Sequence, residues 1–304
     1  MKNIALFLIV FALMSCANKT TKKKVVEDES QTKPFVVSEV EKLAGNFTFT
    51  EGPAVNAQGD VYFTDIRKHL ILKWTAENKL DTFRTNTGRA NGLYFDKDGN
   101  LLICEGQKGQ ISSINPDGNY KTIASEYNGK RFNQPNDLWP DANGGIYFTD
   151  PKYGENDTDL SQDGMHTYYI KPDRSSVIRV SNDLEKPNGV LGTPDGKTLY
   201  ITDAQAGKTY KYDILKDGTL KNKTLFVDLG CDGMTLDKEG NIYFTTNGNH
   251  AVDIFSPAGE LLTSIEVPEQ PSNVCFSGRN NNQLFITART SIYRVKLNTT
   301  GVDK

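Results

Sequence analysis

The sequence predicts an all-β, six-bladed propeller with a metal site at its centre, and two observations support this. First, one phrase recurs six times: EGPAVNAQGDVYFTD from Glu51, NGLYFDKDGNLLICE from Asn91, NDLWPDANGGIYFTD from Asn136, NGVLGTPDGKTLYITD from Asn188, DGMTLDKEGNIYFTT from Asp232 and NVCFSGRNNNQLFITA from Asn273. Its spacing, roughly 40–50 residues, is that of propeller blades rather than of a helical solenoid. Second, the leading residue of every phrase offers an oxygen. Closing a ring of blades brings those six positions around one axis, where they form a cage for a hard cation.

Each unit reads as four strands. The run after the leading residue (AVN, LYF, LWP, MTL) is the innermost strand, and a tight turn follows it: AQGD, KDGN, ANGG, PDGK or KEGN. Gly supplies positive φ in such turns, and a neighbouring Asp or Asn supports the hairpin. The second strand (VYFT, LLIC, IYFT, LYIT, IYFT, LFIT) is nearly continuous in apolar residues, which suits a strand covered on both faces. Outer strands alternate, as in Leu70-Ile71-Leu72-Lys73-Trp74. Asn115-Pro116-Asp117-Gly118 and Ser256-Pro257-Ala258-Gly259 mark turns between third and fourth strands. For closure, residues 291–297 supply the third strand of the last blade, and residues 35–43 its outermost strand, which protects the open edges. The longest interruption, residues 151–168 (PKYGENDTDLSQDGMHTY), follows a second strand. It should emerge at the same end as the leading oxygens, as a lid or specificity loop or as mere decoration.

Residues 1–15 form a targeting segment, with a basic start, an apolar run from Ile4 to Leu13, and Leu13-Met14-Ser15-Cys16, which resembles the bacterial lipobox. The apolar run is short for a membrane span. A lipidated Cys16 is therefore expected to anchor the protein in the bacterial cell envelope, as a periplasmic or outer-membrane lipoprotein. Residues 16–34, rich in Lys, Thr, Glu and Ser, read as a flexible tether, and residues 35–304 as a single propeller domain. Lys+Arg 35 against Asp+Glu 38 leaves a net charge of −3 and no footprint for nucleic acid. The protein is expected to act as a monomer. Cys104 reads as a buried apolar residue, while Cys231 and Cys275 occupy similar places in adjacent blades and are a weak candidate pair.

Calcium accepts neutral carbonyl oxygens beside carboxylates, so Glu51 and Asp232 with Asn136 and Asn188 suit a divalent ion and leave positions for water and substrate. Calcium is the first choice, with zinc, magnesium or manganese as alternatives. Any single Asn-Gly or Asp-Gly pair is a common turn former, but six oxygen-bearing residues in register are harder to dismiss, and Glu51 is not a turn former at all. Asp65, Glu105, Asp150 and Asp203, which close the second strands, are expected to bond backbone or orient the inner ring.

Glu51-Gly52-Pro53, Arg131-Phe132-Asn133-Gln134-Pro135-Asn136-Asp137, Tyr147-Phe148-Thr149-Asp150-Pro151, Pro187-Asn188-Gly189 and Asp232-Gly233-Met234 together resemble the gluconolactonase, regucalcin (senescence marker protein) and luciferin-regenerating-enzyme family. The resemblance implies a divalent metal on the axis, usually calcium, held by Glu51, Asn136, Asn188 and Asp232. It also implies a substrate-contacting arginine, for which Arg131 is the counterpart, although QPN intervenes before Asn136. Asn91 and Asn273 lie on the ring by repeat logic and are expected to line the pocket. The implied activity is hydrolysis of a sugar lactone, with the metal as Lewis acid, water as nucleophile and Asp232 as general base. Asp137 is expected to point away from Asn136.

No GxSxG elbow or placed His supports a serine hydrolase, and His69, His166 and His250 are scattered. Related propellers also cleave organophosphates, a side activity of the same chemical class. The alternative is a non-catalytic, lipid-anchored propeller for carbohydrate or protein binding, which has no need of Glu51 and Asp232 in the channel. A quinone-binding redox propeller would want channel His and basic residues.

Overall fold

Apolar runs punctuated by Gly-containing turns fold as antiparallel hairpins, and four such strands in succession make each blade. A computed structural model describes residues 35–302, apart from 155, 157 and 247. The expected signal segment, Cys16 and the tether lie outside the described residues. The described residues form six four-stranded antiparallel sheets and one small hairpin of Glu126–Tyr127 with Lys130–Arg131, which the repeat did not foretell. The inner strands of the blades are Thr50–Val55, Ala90–Phe95, Leu138–Pro140, Pro187–Gly192, Cys231–Leu236 and Asn273–Ser277.

The second strands are the most enclosed. Leu101–Glu105, Ile146–Asp150 and Ile242–Thr246 are buried at every residue, because each blade packs against a neighbour on both faces. The core is accordingly a series of apolar clusters between blades. Leu102, Phe132 and Phe148 fill the space between blades two and three, and Tyr243, Phe276 and Ile286 that between five and six. Outer strands are far more exposed, as in Leu80–Arg84.

Closure follows the expected route. Glu41–Ala44 pairs antiparallel with Ser291–Lys296, and Val36 bridges to Leu297, so the first strand of the chain completes the last blade. Arg294 ties the seam to Glu41 at 2.8 Å.

The inner strands meet around the axis through two devices. One is a threonine near the end of the second strand in four of the blades. Thr64 Oγ1 donates to the Asn91 carbonyl at 3.2 Å, Thr149 to Asn188 at 2.5 Å, Thr202 to Cys231 at 2.9 Å and Thr245 to Ser272 at 3.0 Å, each in the next blade. The other is the glycine after the ring residue. A Cβ on Gly92 would lie 2.7 Å from the Asn136 carbonyl, and one on Gly189 would lie 2.6 Å from that of Asp232. The Asn-Gly pairs are therefore not turns. They sit within inner strands, and their glycines let neighbouring backbones touch.

Cys104, Cys231 and Cys275 are all buried. Cys231 packs between blades four and five and Cys275 between six and one, so the candidate pairing is corrected by their separate packing.

Candidate active site

Four of the ring residues face the axis because the inner strands are bulged beside them. Pairing with the second strand slips between Glu51 and Ala54, Ala90 and Leu93, Pro187 and Val190, and Cys231 and Met234. A bulge re-aims one side chain out of the sheet alternation. Here it turns Glu51, Asn91, Asn188 and Asp232 toward a shared cavity.

Anchors at the strand ends hold the loops that lead into these strands. Asp65 accepts hydrogen bonds from Thr48 N and Phe49 N, Asp150 from Asn133 N and Gln134 N, and Asp203 from Glu185 N and Lys186 N, all at 2.8–3.2 Å. Glu105 instead takes Lys108 at 2.8 Å and Tyr120 at 2.5 Å. A buried carboxylate that accepts backbone N–H groups fixes a loop without touching substrate.

At one end of the axis lies a cavity of about 650 Å³. Glu51, Asn91, Asn136, Asn188 and Asp232 all line it. Glu51 is 3% exposed, Asn188 5% and Asn136 8%. Asn188 Nδ2 donates to Asp232 Oδ1 at 2.7 Å and to the Tyr153 hydroxyl at 2.8 Å, which leaves its carbonyl oxygen uncommitted. Glu51 Oε2 accepts from Gly52 N at 3.0 Å and from Asn273 Nδ2 at 3.2 Å.

Burial, and then the charge of Asp232, push the Glu51 carboxyl well above its ordinary value. Burial also raises Asp232, opposed by the Asn188 hydrogen bond and the positive charge of Arg289. Two desolvated carboxyls at hydrogen-bonding range repel each other when both are ionised. A divalent cation removes that conflict, and the donor set is all oxygen, without His or thiolate. Two carboxylates with the Asn188 and Asn136 amides suit a hard ion such as calcium.

Two sequence expectations need correction or refinement. Arg131 does not line the cavity: its guanidinium is committed to the carbonyls of Gln107 at 2.7 Å and Asn133 at 3.2 Å, outside the channel. Asn273 stands behind Glu51 and orients it instead of lining the pocket. His166, by contrast with a surface histidine, is 6% exposed and bonded to Asp163 at 3.0 Å. Asp137 turns away from the cavity as expected and accepts from Leu138 N at 2.9 Å and Val190 N at 3.2 Å. Burial pushes its carboxyl up to about 7.

Sequence reasoning missed the mouth of the cavity, which carries Arg67, Arg89, Lys186 and Arg289 together with Phe49, Gln134 and Tyr153. These residues lie outside the repeated phrases: Phe49, Arg89, Gln134 and Lys186 in connections that lead into inner strands, and Arg67, Tyr153 and Arg289 between the second and third strands of their blades. Gln134, two residues before Asn136, lines the cavity where Arg131 was expected. Tyr153 confirms that the loop after residue 150 reaches this end, its N–H bonded to Gln134 Oε1 at 2.9 Å.

The profile of the SMP-30/Gluconolactonase/LRE-like region matches residues 49–290. The gluconolactonase of Zymomonas mobilis is 29% identical over 304 aligned residues, covering 88% of this chain and 83% of that protein. A solved gluconolactonase from Xanthomonas campestris superposes with a TM-score of 0.79 at 27% identity, covering 87% of this chain and 94% of that one. A calcium-binding regucalcin from Agrobacterium tumefaciens shares the fold, with a TM-score of 0.73 at 20% identity, over 88% and 96% of the two chains.

Proposed function

The chain belongs to the SMP-30/gluconolactonase/LRE-like family, and from that premise we propose that it is a metal-dependent lactonase that opens a sugar lactone. The observation that carries this proposal is the meeting of Glu51, Asn136, Asn188 and Asp232 on the floor of one cavity. Lactone hydrolysis is the activity named for the relatives from Zymomonas mobilis and, at 27% identity over 72% of this chain, Staphylococcus saprophyticus.

Glu51, Asn136, Asn188 and Asp232 would hold the cation, with calcium favoured by the oxygen donors. When bound, it would supply Lewis-acid polarisation of the lactone carbonyl. Asn273 keeps Glu51 facing the axis, and Tyr153 with Asp232 fixes the Asn188 amide. The Asp232 carboxylate takes a proton from the attacking water and returns it to the alkoxide released as the ring opens. Asn91 and Gln134 offer side-chain amides to the sugar hydroxyls.

Export is part of the proposal: Cys16 carries lipid and tethers the propeller to the cell envelope. Retention of a Cys16→Ala protein in the membrane fraction would argue against it.

The deciding experiment measures opening of D-glucono-1,5-lactone by the purified protein, with and without EDTA, beside a calorimetric titration with calcium. Asp232→Asn should lower kcat by at least about 100-fold, the usual contribution of a positioned base. Glu51→Gln should abolish the calcium heat. Full metal-dependent activity in both variants would show the assignment to be wrong.

A further inference from the structure

The lining of the cavity brings four basic side chains, Arg67, Arg89, Lys186 and Arg289, against two acidic ones, Glu51 and Asp232. The chain as a whole is negative, at −3, so this positive mouth is local. None of Arg67, Arg89 and Arg289 forms an ion pair with a carboxylate among the described residues. A divalent cation on the floor would cancel the two carboxylates and leave the arginines as uncompensated charge.

Their placement is built. Arg89 and Arg289 both adopt left-handed backbone, with φ of 55° and 49°. That conformation is unfavourable for a side chain with a Cβ and persists where the surroundings impose it. The Arg289 carbonyl accepts from Thr50 N at 2.8 Å, next to Glu51, and the Arg89 carbonyl accepts from Gly106 N at 3.2 Å. Arg67 and Arg289 lie 5.7 and 4.9 Å from the centre of the Phe49 ring, which braces both. Phe49 is held in turn, its carbonyl accepting from Ile66 N at 3.0 Å.

We propose that this cavity selects a negatively charged ligand, and that the substrate is a lactone bearing a carboxylate or phosphate substituent rather than a neutral aldonolactone. The word lactone rests on the function proposed above; the charge rests on the arginines alone. A neutral sugar hydroxyl can accept a hydrogen bond from a guanidinium but leaves its charge unanswered, whereas a carboxylate or phosphate accepts two parallel hydrogen bonds and neutralises it. The group would sit at the mouth, while the ring carbonyl reaches the floor.

Two measurements separate the charge from the chemistry. In the first, D-glucono-1,5-lactone is compared with D-glucaro-1,4-lactone and 6-phospho-D-glucono-1,5-lactone as substrates. In the second, D-glucose, D-glucuronate and D-glucose 6-phosphate are titrated calorimetrically in the presence of calcium. A charged lactone should show kcat/KM about tenfold or more above the neutral one, the effect of one charge-assisted contact, and the matching charged sugar should bind correspondingly tighter than glucose. The better of carboxylate and phosphate identifies the substituent, and the preference should shrink as salt is added. Arg89→Gln and Arg289→Gln should each reduce the charged-to-neutral ratio, chiefly through KM, and Arg89→Lys should restore part of it. Equal turnover of neutral and charged lactones, or glucose binding as tightly as the charged sugars, overturns the proposal. Preferential binding of charged sugars without hydrolysis of any lactone upholds it and removes the lactonase assignment instead.

Discussion

Replacing Gly92 with alanine should loosen the ring at the point where blades two and three touch. The new Cβ would lie 2.7 Å from the Asn136 carbonyl oxygen, 2.7 Å from Asp137 Oδ1 and 2.8 Å from Asp137 Cα. Unstrained contacts of this kind need about 3.5 Å, so the two inner strands must separate by roughly 0.7 Å. Backbone cannot swing aside as a side chain can. Overpacking costs about 1–3 kcal/mol, and stretching the 2.8 Å bond from Gly92 N to the Asn136 carbonyl adds about 1 kcal/mol. A loss of about 2–4 kcal/mol should lower Tm by roughly 4–8 °C in a domain of this size, as read by scanning calorimetry. Because Asn136 moves with its carbonyl, calcium affinity should fall as well. Gly118→Ala is the control: it has φ of +84° but nothing within 4 Å, so it should cost only about 1 kcal/mol. If Gly92→Ala melts within about 2 °C of wild type, or Gly118→Ala is the worse variant, close approach at the axis is not what the glycine provides.

Two further outcomes follow from the hydrogen bonding. Burial alone would raise the Glu269 carboxyl, but hydrogen bonds from Ser291, Thr290 and Tyr293 overcome it and hold the group down to about 2, below its ordinary 4.5. A depressed carboxyl stabilises the fold above its unfolded value and loses that contribution as pH falls toward the folded one. With its side chain 25% exposed, about 1–2 kcal/mol is the expected contribution after solvent screening. Glu269→Gln should therefore lower Tm near neutral pH by a few degrees, a difference that narrows from about pH 4.5 downward; a constant difference across that range would rule out the carboxylate as its source. Tyr153→Phe removes the acceptor for one Asn188 N–H while leaving the bond to Asp232, and should weaken calcium binding about tenfold by calorimetry. Unchanged affinity would mean that the amide is fixed without Tyr153.

The repeat made the blades legible because their strands, turns and second-strand burial all obey local rules. The four oxygen residues on the cavity floor were readable for the same reason: register along a repeat carries the leading residue of each phrase to the same place. Two things were hidden. The bulges after Glu51, Ala90, Pro187 and Cys231 are set by how the strands pair, and the glycine inside each is a mark that a turn would share. The mouth residues Arg67, Arg89 and Arg289 belong to connections that differ from blade to blade. Arg131 drew attention because it stood in a recognisable motif, yet its short hairpin turns it toward the Gln107 carbonyl. Gly92 and Gly189, in pairs that form turns elsewhere, are here spacers between strands.

The shared last sheet has a consequence for how the molecule comes into being. Glu41 and Arg294 are 253 positions apart in the chain yet side by side in one sheet. During synthesis the earliest strand must wait, unpartnered, until nearly the whole polypeptide has emerged. Ring formation is thus the last event of assembly, and a protein cut short before its final strand would leave two raw edges open to pairing with another copy.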